Sequence, residues 1–83
     1  MESYPKTNKV EPLARKKLLV TFSNNTKKIY DCTSLFKEEA FKPLSDNALF
    51  QSVKADKHGY GVIWSDEIDL SESEIWINGL PAE

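Results

Sequence analysis

Five carboxylates lie close together near the end of the chain and are the first candidates for chemistry: Asp66, Glu67, Asp69, Glu72 and Glu74. A calcium-binding loop would need a longer alternating run of oxygen donors, with a glycine in the middle and a glutamate at the end. Two carboxylates acting as general acid and general base would need environments that separate their pKa values. The sequence shows neither pattern, so we expect the first three to be turn and strand-edge residues.

His58 and Cys32 are the other candidates for catalysis, and each stands alone in the sequence. His58 precedes a glycine in a predicted turn, where a solvated imidazole has no partner to orient it. Cys32 follows a predicted strand, and we expect a small buried hydrophobic residue there. Because nucleophile, base and orienting group never occur together, we expect no enzymatic activity. No metal-site spacing is present, and we expect no cofactor.

The last two carboxylates have a structural explanation in a predicted C-terminal helix. Ser71, with Glu74 three residues later, forms the pattern of a capping box. Leu70 before the cap and Ile75 four positions into the helix complete a hydrophobic staple. Gly79 then ends the helix.

The segment KLLVTFSNNTKKIYDC predicts a β-hairpin, because Leu18, Val20 and Phe22 alternate with residues of the opposite face. A two-residue turn on the Asn-Asn pair would set Val20 opposite Ile29. In that register Ile29 joins the core face and Lys28 is exposed. The preceding KVEPL is expected to be a short edge strand, since its proline cannot donate to a central ladder.

A second hairpin is predicted by SVKADKHGYGVIWS, with Tyr60, Val62 and Trp64 on its core face. Gly61 inside the strand indicates a bulge or the close approach of another backbone. Short helices between the two hairpins are expected to pack over the sheet through aromatic and leucine side chains: Phe36, Phe41, Leu49 and Phe50. The predicted class is therefore α+β: a small single domain of antiparallel β-hairpins with two or three short helices, including the capped C-terminal helix. We expect a disordered tail over residues 1–7 and the domain over residues 8–83.

The charges divide along the chain. Residues 1–30 carry seven basic and two acidic groups, a net charge of +5, whereas residues 31–83 carry four basic and eleven acidic groups, a net charge of −7. Five of the basic residues are expected to converge at one sheet edge: Arg15, Lys16, Lys17, Lys27 and Lys28. Such a patch would allow contact with nucleic acid, which is the alternative function that the sequence supports.

The C-terminal helix predicts a surface for a protein partner. Trp76 and Ile77 follow a core isoleucine directly, and consecutive helical residues point about 100° apart, so Ile77 faces away from the core. The alternative is that Leu80 and Pro81 of the following tail fold back and cover it. Exposed apolar residues beside charged ones mark contact sites. We expect Trp76 and Ile77 to act as anchors inside a rim of Glu72 and Glu74, which would bind a small basic protein or a second copy of the chain in a homodimer.

The N-terminus has no apolar signal segment, no run of residues is long and apolar enough for a membrane span, and a single cysteine cannot form a disulfide within the chain. We therefore expect a cytoplasmic protein without membrane contact.

Three segments of the chain resemble, in order, the blocks of the domain of unknown function 2442 family: KLLVTFSNNTKKIYDCTSLF, FKPLSDNALFQSVKAD and GYGVIWSDEIDLSESEIW. The resemblance covers about residues 9–78. Its most specific pieces are the first hairpin, which ends in Tyr-Asp, and the run Trp-x-x-x-Ile-Asp-Leu-Ser. In the family this hairpin usually turns on a glycine, where the present chain has Asn25.

The resemblance implies a small bacterial or phage α+β domain and supplies neither an established activity nor catalytic residues. The resemblance also implies a gene context: genes of such proteins are frequent neighbours of genes of another small family (domain of unknown function 4160). That arrangement implies a toxin–antitoxin-like pair. The expected function is thus a non-enzymatic interaction domain, acting as the antitoxin-like partner of a small basic protein.

Overall fold

The computed structural model describes residues 4–82, which form two antiparallel sheets joined by short helices. The first sheet contains, in spatial order, β1 (Thr7–Leu13), β2 (Lys17–Phe22), β3 (Lys27–Asp31) and β7 (Leu80–Pro81). The second contains β4 (Lys54–Ala55), β5 (Gly61–Ser65) and β6 (Ile68–Ser71). The predicted α+β class is confirmed, and β1 lies at a sheet edge, as its proline indicated.

The helices within residues 4–82 are short. The α-helices are α1 (Asn47–Gln51) and α2 (Glu72–Asn78), and 3-10 helices span Ala14–Lys16, Cys32–Lys37 and Glu39–Ser45. None of the described helices has the length and apolar character needed to cross a membrane.

The predicted register of the first hairpin is wrong by one residue. Val20 pairs with Lys28 and Leu19 with Ile29, because the turn has three residues rather than two. Asn25 adopts a positive φ of 70°, and its N–H donates to the carbonyl of Phe22. A type I turn followed by a left-handed residue is the usual form of a three-residue hairpin loop, and asparagine tolerates that conformation.

The shift exchanges the faces on which the β3 side chains lie, since side chains alternate along a strand. Tyr30 enters the core, with only 3% of its surface exposed. Ile29 lies on the opposite face beside Leu19, and Lys28 lies on the core side, where it contacts Trp76. The predictions of a core Ile29 and an exposed Lys28 are therefore wrong.

The core lies between the two sheets and the short helices, and its buried members are Leu18, Val20, Phe22, Tyr30, Cys32, Leu35, Leu44, Phe50, Val53, Val62, Trp64, Ile68, Leu70 and Ile75. Phe36, Phe41 and Leu49 pack against it while remaining partly exposed. Of the predicted tail, residues 1–3 lie outside the described residues and Thr7 is the first residue of β1. Residue 83 also lies outside them.

Backbone contact at Gly61 and β1 holds the two sheets together. The Thr7 hydroxyl donates to the carbonyl of Gly61 at 2.7 Å, and the Thr7 N–H donates to the carbonyl of Gly59 at 2.9 Å. Gly61 has a φ of 148°, and a Cβ there would clash with the backbone carbonyl of Leu70. The predicted close approach of another backbone at Gly61 is confirmed.

The prediction that Tyr60 lies on a core face is wrong. Tyr60 is 58% exposed, because it belongs to the turn before β5 rather than to the strand. Asp56 N–H donates to the Gly61 carbonyl, so the residues between them form a loop outside the ladder.

We expect Gly61→Ala to lower the free energy of unfolding by about 2 to 4 kcal/mol, through backbone strain and overlap with the Leu70 carbonyl. Urea unfolding followed by tryptophan fluorescence measures this. Asn25→Gly is the control, since glycine accepts a positive φ, and should change stability by less than about 0.5 kcal/mol. Equal midpoints for Gly61→Ala and the parent would contradict the close approach.

Candidate interaction surface

The carboxylate of Glu74 ties α2 to the first sheet. Ser71 Oγ accepts the N–H of Glu74 at 3.2 Å, which confirms Ser71 as the helix cap. The glutamate does not complete the capping box in the predicted way. Its Oε2 instead accepts the Tyr30 hydroxyl at 2.9 Å and the Asn78 amide at 2.8 Å. A side chain expected at a solvent rim is thus a structural link between β3 and α2.

The phenol of Tyr30 is kept protonated by this arrangement. Burial raises its pKa well above the ordinary value, and the hydrogen bond to Glu74 and the negative charge of that carboxylate act in the same direction. Tyr30 therefore serves as a neutral donor, which is the form the Glu74 carboxylate needs.

Trp76 is held against the core and is not a free anchor. Its ring meets Phe22 edge to face, with 5.1 Å between centroids and 86° between planes. The Lys28 ammonium lies 4.2 Å from the Trp76 ring centroid and also donates to the Trp76 carbonyl at 2.5 Å. This cation–π contact explains why a lysine is accommodated on the core side of β3.

Ile77 is the exposed member of the predicted partner-binding residues, with 62% of its surface accessible. Glu72 keeps only 18% of its side chain exposed, and its carboxylate lies 4.0 Å from the Lys6 ammonium. The structure therefore separates the four predicted residues into one exposed apolar side chain and three that have partners within the chain.

A groove of about 450 Å³ runs between α2 and the free part of β3, and its lining includes Ile29, Tyr30, Asp31, Glu74, Asn78 and Leu80. Leu80 is 69% exposed and belongs to β7, which pairs with Lys28 and Ile29. Sequence reasoning missed this strand because only two residues form it. The available signal was the Leu-Pro pair, since a residue before proline favours extended backbone.

The expected convergence of five basic residues is wrong. Lys17 pairs with Asp31 at one end of the β2–β3 hairpin, whereas Lys27 pairs with Thr21 at the other end. Four residues of strand, about 13 Å, separate the two positions. Lys17 and Lys27 are the first residues of two neighbouring antiparallel strands, so they necessarily lie at opposite ends of the hairpin. Lys28 lies on the opposite face of the sheet from both.

The two remaining members of that group lie in the turn before β2. Arg15 is exposed, and Lys16 donates to Asn47 Oδ1 at 3.2 Å. Nucleic-acid contact by the five basic residues stays a prediction, and the structure does not bring the five together in one surface patch.

Cys32 is fully buried, as predicted, and lies at the start of a 3-10 helix whose cap is Asp31. Burial, together with the nearby Asp31 charge, raises the pKa of the Cys32 thiol from 9.0 to about 12. His58 is exposed in its turn, where its backbone N–H donates to Asp56 Oδ2. Within residues 4–82 no three metal-ligating side chains come together.

A family model described as "Protein of unknown function (DUF2442)" matches residues 8–79 of the chain. The match spans both hairpins and α2, so it covers the exposed Ile77 and the residues that position it. No curated protein and no solved structure shows significant similarity to the chain.

Tyr30→Phe should lower the free energy of unfolding by about 1 to 2 kcal/mol, because the Glu74 carboxylate loses a donor in a partly buried position. Chemical denaturation at neutral pH provides the measurement. Tyr60→Phe is the matched control, since Tyr60 is exposed, and it should leave the midpoint unchanged. Equal effects of the two substitutions would show that the Tyr30–Glu74 bond contributes nothing.

The raised pKa of Cys32 predicts a loss of stability in alkaline solution. Above about pH 9 the thiol of the unfolded chain ionises while the folded chain retains its proton, so the free energy of unfolding falls with rising pH, by up to about 1.4 kcal/mol per unit. Denaturation between about pH 8 and 11 should show a shallower fall in Cys32→Ala than in the parent. Parallel pH profiles would contradict the assignment.

Proposed function

This chain belongs to the DUF2442 family of proteins of unknown function, and from its surface we propose that it is a non-enzymatic interaction domain that binds a small basic protein. Its role in that complex is antitoxin-like: the domain covers a basic, nucleic-acid-binding face of its partner.

The exposed side chain of Ile77 is the observation on which the proposal rests. Ile75, two residues earlier, is completely buried and attaches α2 to the core, whereas Ile77 does not belong to the core. Both ends of α2 are fixed, by the Ser71 cap and by the bond from Gly79 N–H to the Ile75 carbonyl. An apolar side chain on a rigid element loses little entropy on binding, which favours its use as an anchor.

The charge of the surrounding chain supports a basic partner. Residues 31–83 carry a net charge of −7. Asp66, Glu67 and Asp69 are exposed on the β5–β6 turn and on β6, which runs directly into α2. Opposite net charges on two partners accelerate their association and exclude partners of like charge.

A tagged form of the chain, recovered from its native host, should bring down a small basic protein in near-equal amount, by an interaction that weakens as salt is raised. With that protein purified, titration calorimetry should show that Ile77→Ser weakens the complex by at least about tenfold, because truncating an anchor costs more than about 1.4 kcal/mol.

Tyr60→Ser is the matched control, because Tyr60 is similarly exposed on the turn before β5 and should leave the affinity unchanged. Circular dichroism should show both variants folded, since neither side chain belongs to the core. Equal affinity of the parent and Ile77→Ser would remove α2 from the interface. Recovery of nucleic acid without any protein would replace the proposal with the nucleic-acid alternative.

A further inference from the structure

The open face of the first sheet carries a row of aliphatic side chains that the core does not use. Leu19 pairs with Ile29, and Ile29 pairs with Leu80, so one side chain from each of three neighbouring strands lies in line. Alternation places this row opposite the buried Leu18 and Val20. Leu19 and Ile29 are half-buried and Leu80 is exposed, and none of the three belongs to the core or packs against it.

Charges of both signs flank this row. Lys17 and Asp31 are cross-strand partners on the same face, two residues from Leu19 on β2 and from Ile29 on β3. Hydrogen bonds from the backbone and side chain of Thr33 hold the pKa of Asp31 below its usual value, and the positive charge of Lys17 makes a smaller contribution in the same direction. A partner of uniformly basic or acidic character would match only one of these two charges.

A second copy of the chain matches both. A two-fold axis parallel to the strands and midway between β2 and β3 brings Leu19 of one copy over Ile29 of the other, and the converse. The same rotation brings Lys17 over Asp31 twice, and it places Glu11, the β1 partner of Leu19, over Leu80 at each edge of the contact. Aligned sheets pack face to face about 10 Å apart at about 30°, which suits this arrangement.

We infer that the chain forms a two-fold symmetric dimer through the open face of the β1–β2–β3–β7 sheet, with Leu19 and Ile29 at its centre and reciprocal Lys17–Asp31 pairs beside them. An isologous contact of this kind closes on itself and leaves no free copy of the surface. Tyr30 and Lys28 reach α2 from the core side of the sheet, and Ile77 does not line the groove beside Ile29 and Leu80, so we expect Ile77 to remain free in the dimer.

Sedimentation equilibrium between about 1 µM and about 1 mM tests the dimer, because weak specific pairs dissociate within that range. The weight-average mass should rise from the monomer value of 9.5 kDa toward twice that value. Leu19→Thr combined with Ile29→Thr should raise the dissociation constant at least about tenfold while preserving the strands, because threonine keeps a high β propensity.

Ile63→Thr is the matched control. Ile63 is likewise half-buried on an outer strand face, between Lys54 and Asp69 of the second sheet, and should leave the dimer unchanged. Ile77→Ser should also leave it unchanged, which separates this inference from the proposed function.

Charge exchange tests the symmetry of the interface. Lys17→Glu alone and Asp31→Lys alone should each weaken self-association, since each creates two like-charge pairs across the axis. An equimolar mixture of the two variants should recover a heterodimer. In that heterodimer the introduced glutamate of one chain faces the introduced lysine of the other, and the remaining native Asp31 and Lys17 face each other.

A chain that stays monomeric throughout the concentration range would overturn the inference. A dimer insensitive to Leu19→Thr with Ile29→Thr would overturn it as well. Should Asp31→Lys fail to fold through loss of its cap, Asp31→Asn retains the capping oxygen and must still weaken the dimer of Lys17-containing chains.

Discussion

The left-handed backbone at Asn25 determines the register of the β2–β3 hairpin, and with it the side of the sheet on which each β3 residue lies. The register puts Tyr30 in the core, where its hydroxyl reaches Glu74, and sends Lys28 toward Trp76. A register shifted by one residue would exchange both faces at once. The packing of α2 against β3 and the aliphatic row on the open face are therefore both consequences of the turn between β2 and β3.

Two further contacts convert the hairpins into a domain. The hydroxyl and the N–H of Thr7 donate hydrogen bonds to the carbonyls of Gly61 and Gly59, which joins the edge of the first sheet to the second sheet. Glu74 then connects β3 to α2 through Tyr30 and Asn78. Because these links are made by backbone and partly buried polar groups, the helix is held in a fixed orientation. That orientation leaves the side chain of Ile77 exposed.

Most of the fold could be predicted from local patterns. Alternation identified β2, the Ser71 cap identified the start of α2, and Gly61 marked a close backbone approach. Ile29 was misplaced because one residue of turn length changed the register of its hairpin. Tyr60 was misplaced because the loop before β5 is longer than the expected two residues, although the pairing of β4 with β5 is unchanged. Of the candidate interaction residues, Ile77 was placed correctly outside the core, since the helical period is 3.6 residues. The internal partners of Glu72 and Trp76 come from segments distant in sequence and could not be predicted.

By itself, the sequence determined the fold class, the family, the hairpins, the capped helix and the division of charge, because each depends on neighbouring residues or on composition. Only the tertiary structure decided that Lys17 and Lys27 lie apart, that Leu80 joins β3, and that Leu19 and Ile29 form a row on an open face. These outcomes depend on register and on the packing of distant segments, and a shift of one residue reverses them. The composition of the exposed surfaces of this protein is therefore decided by its tertiary structure.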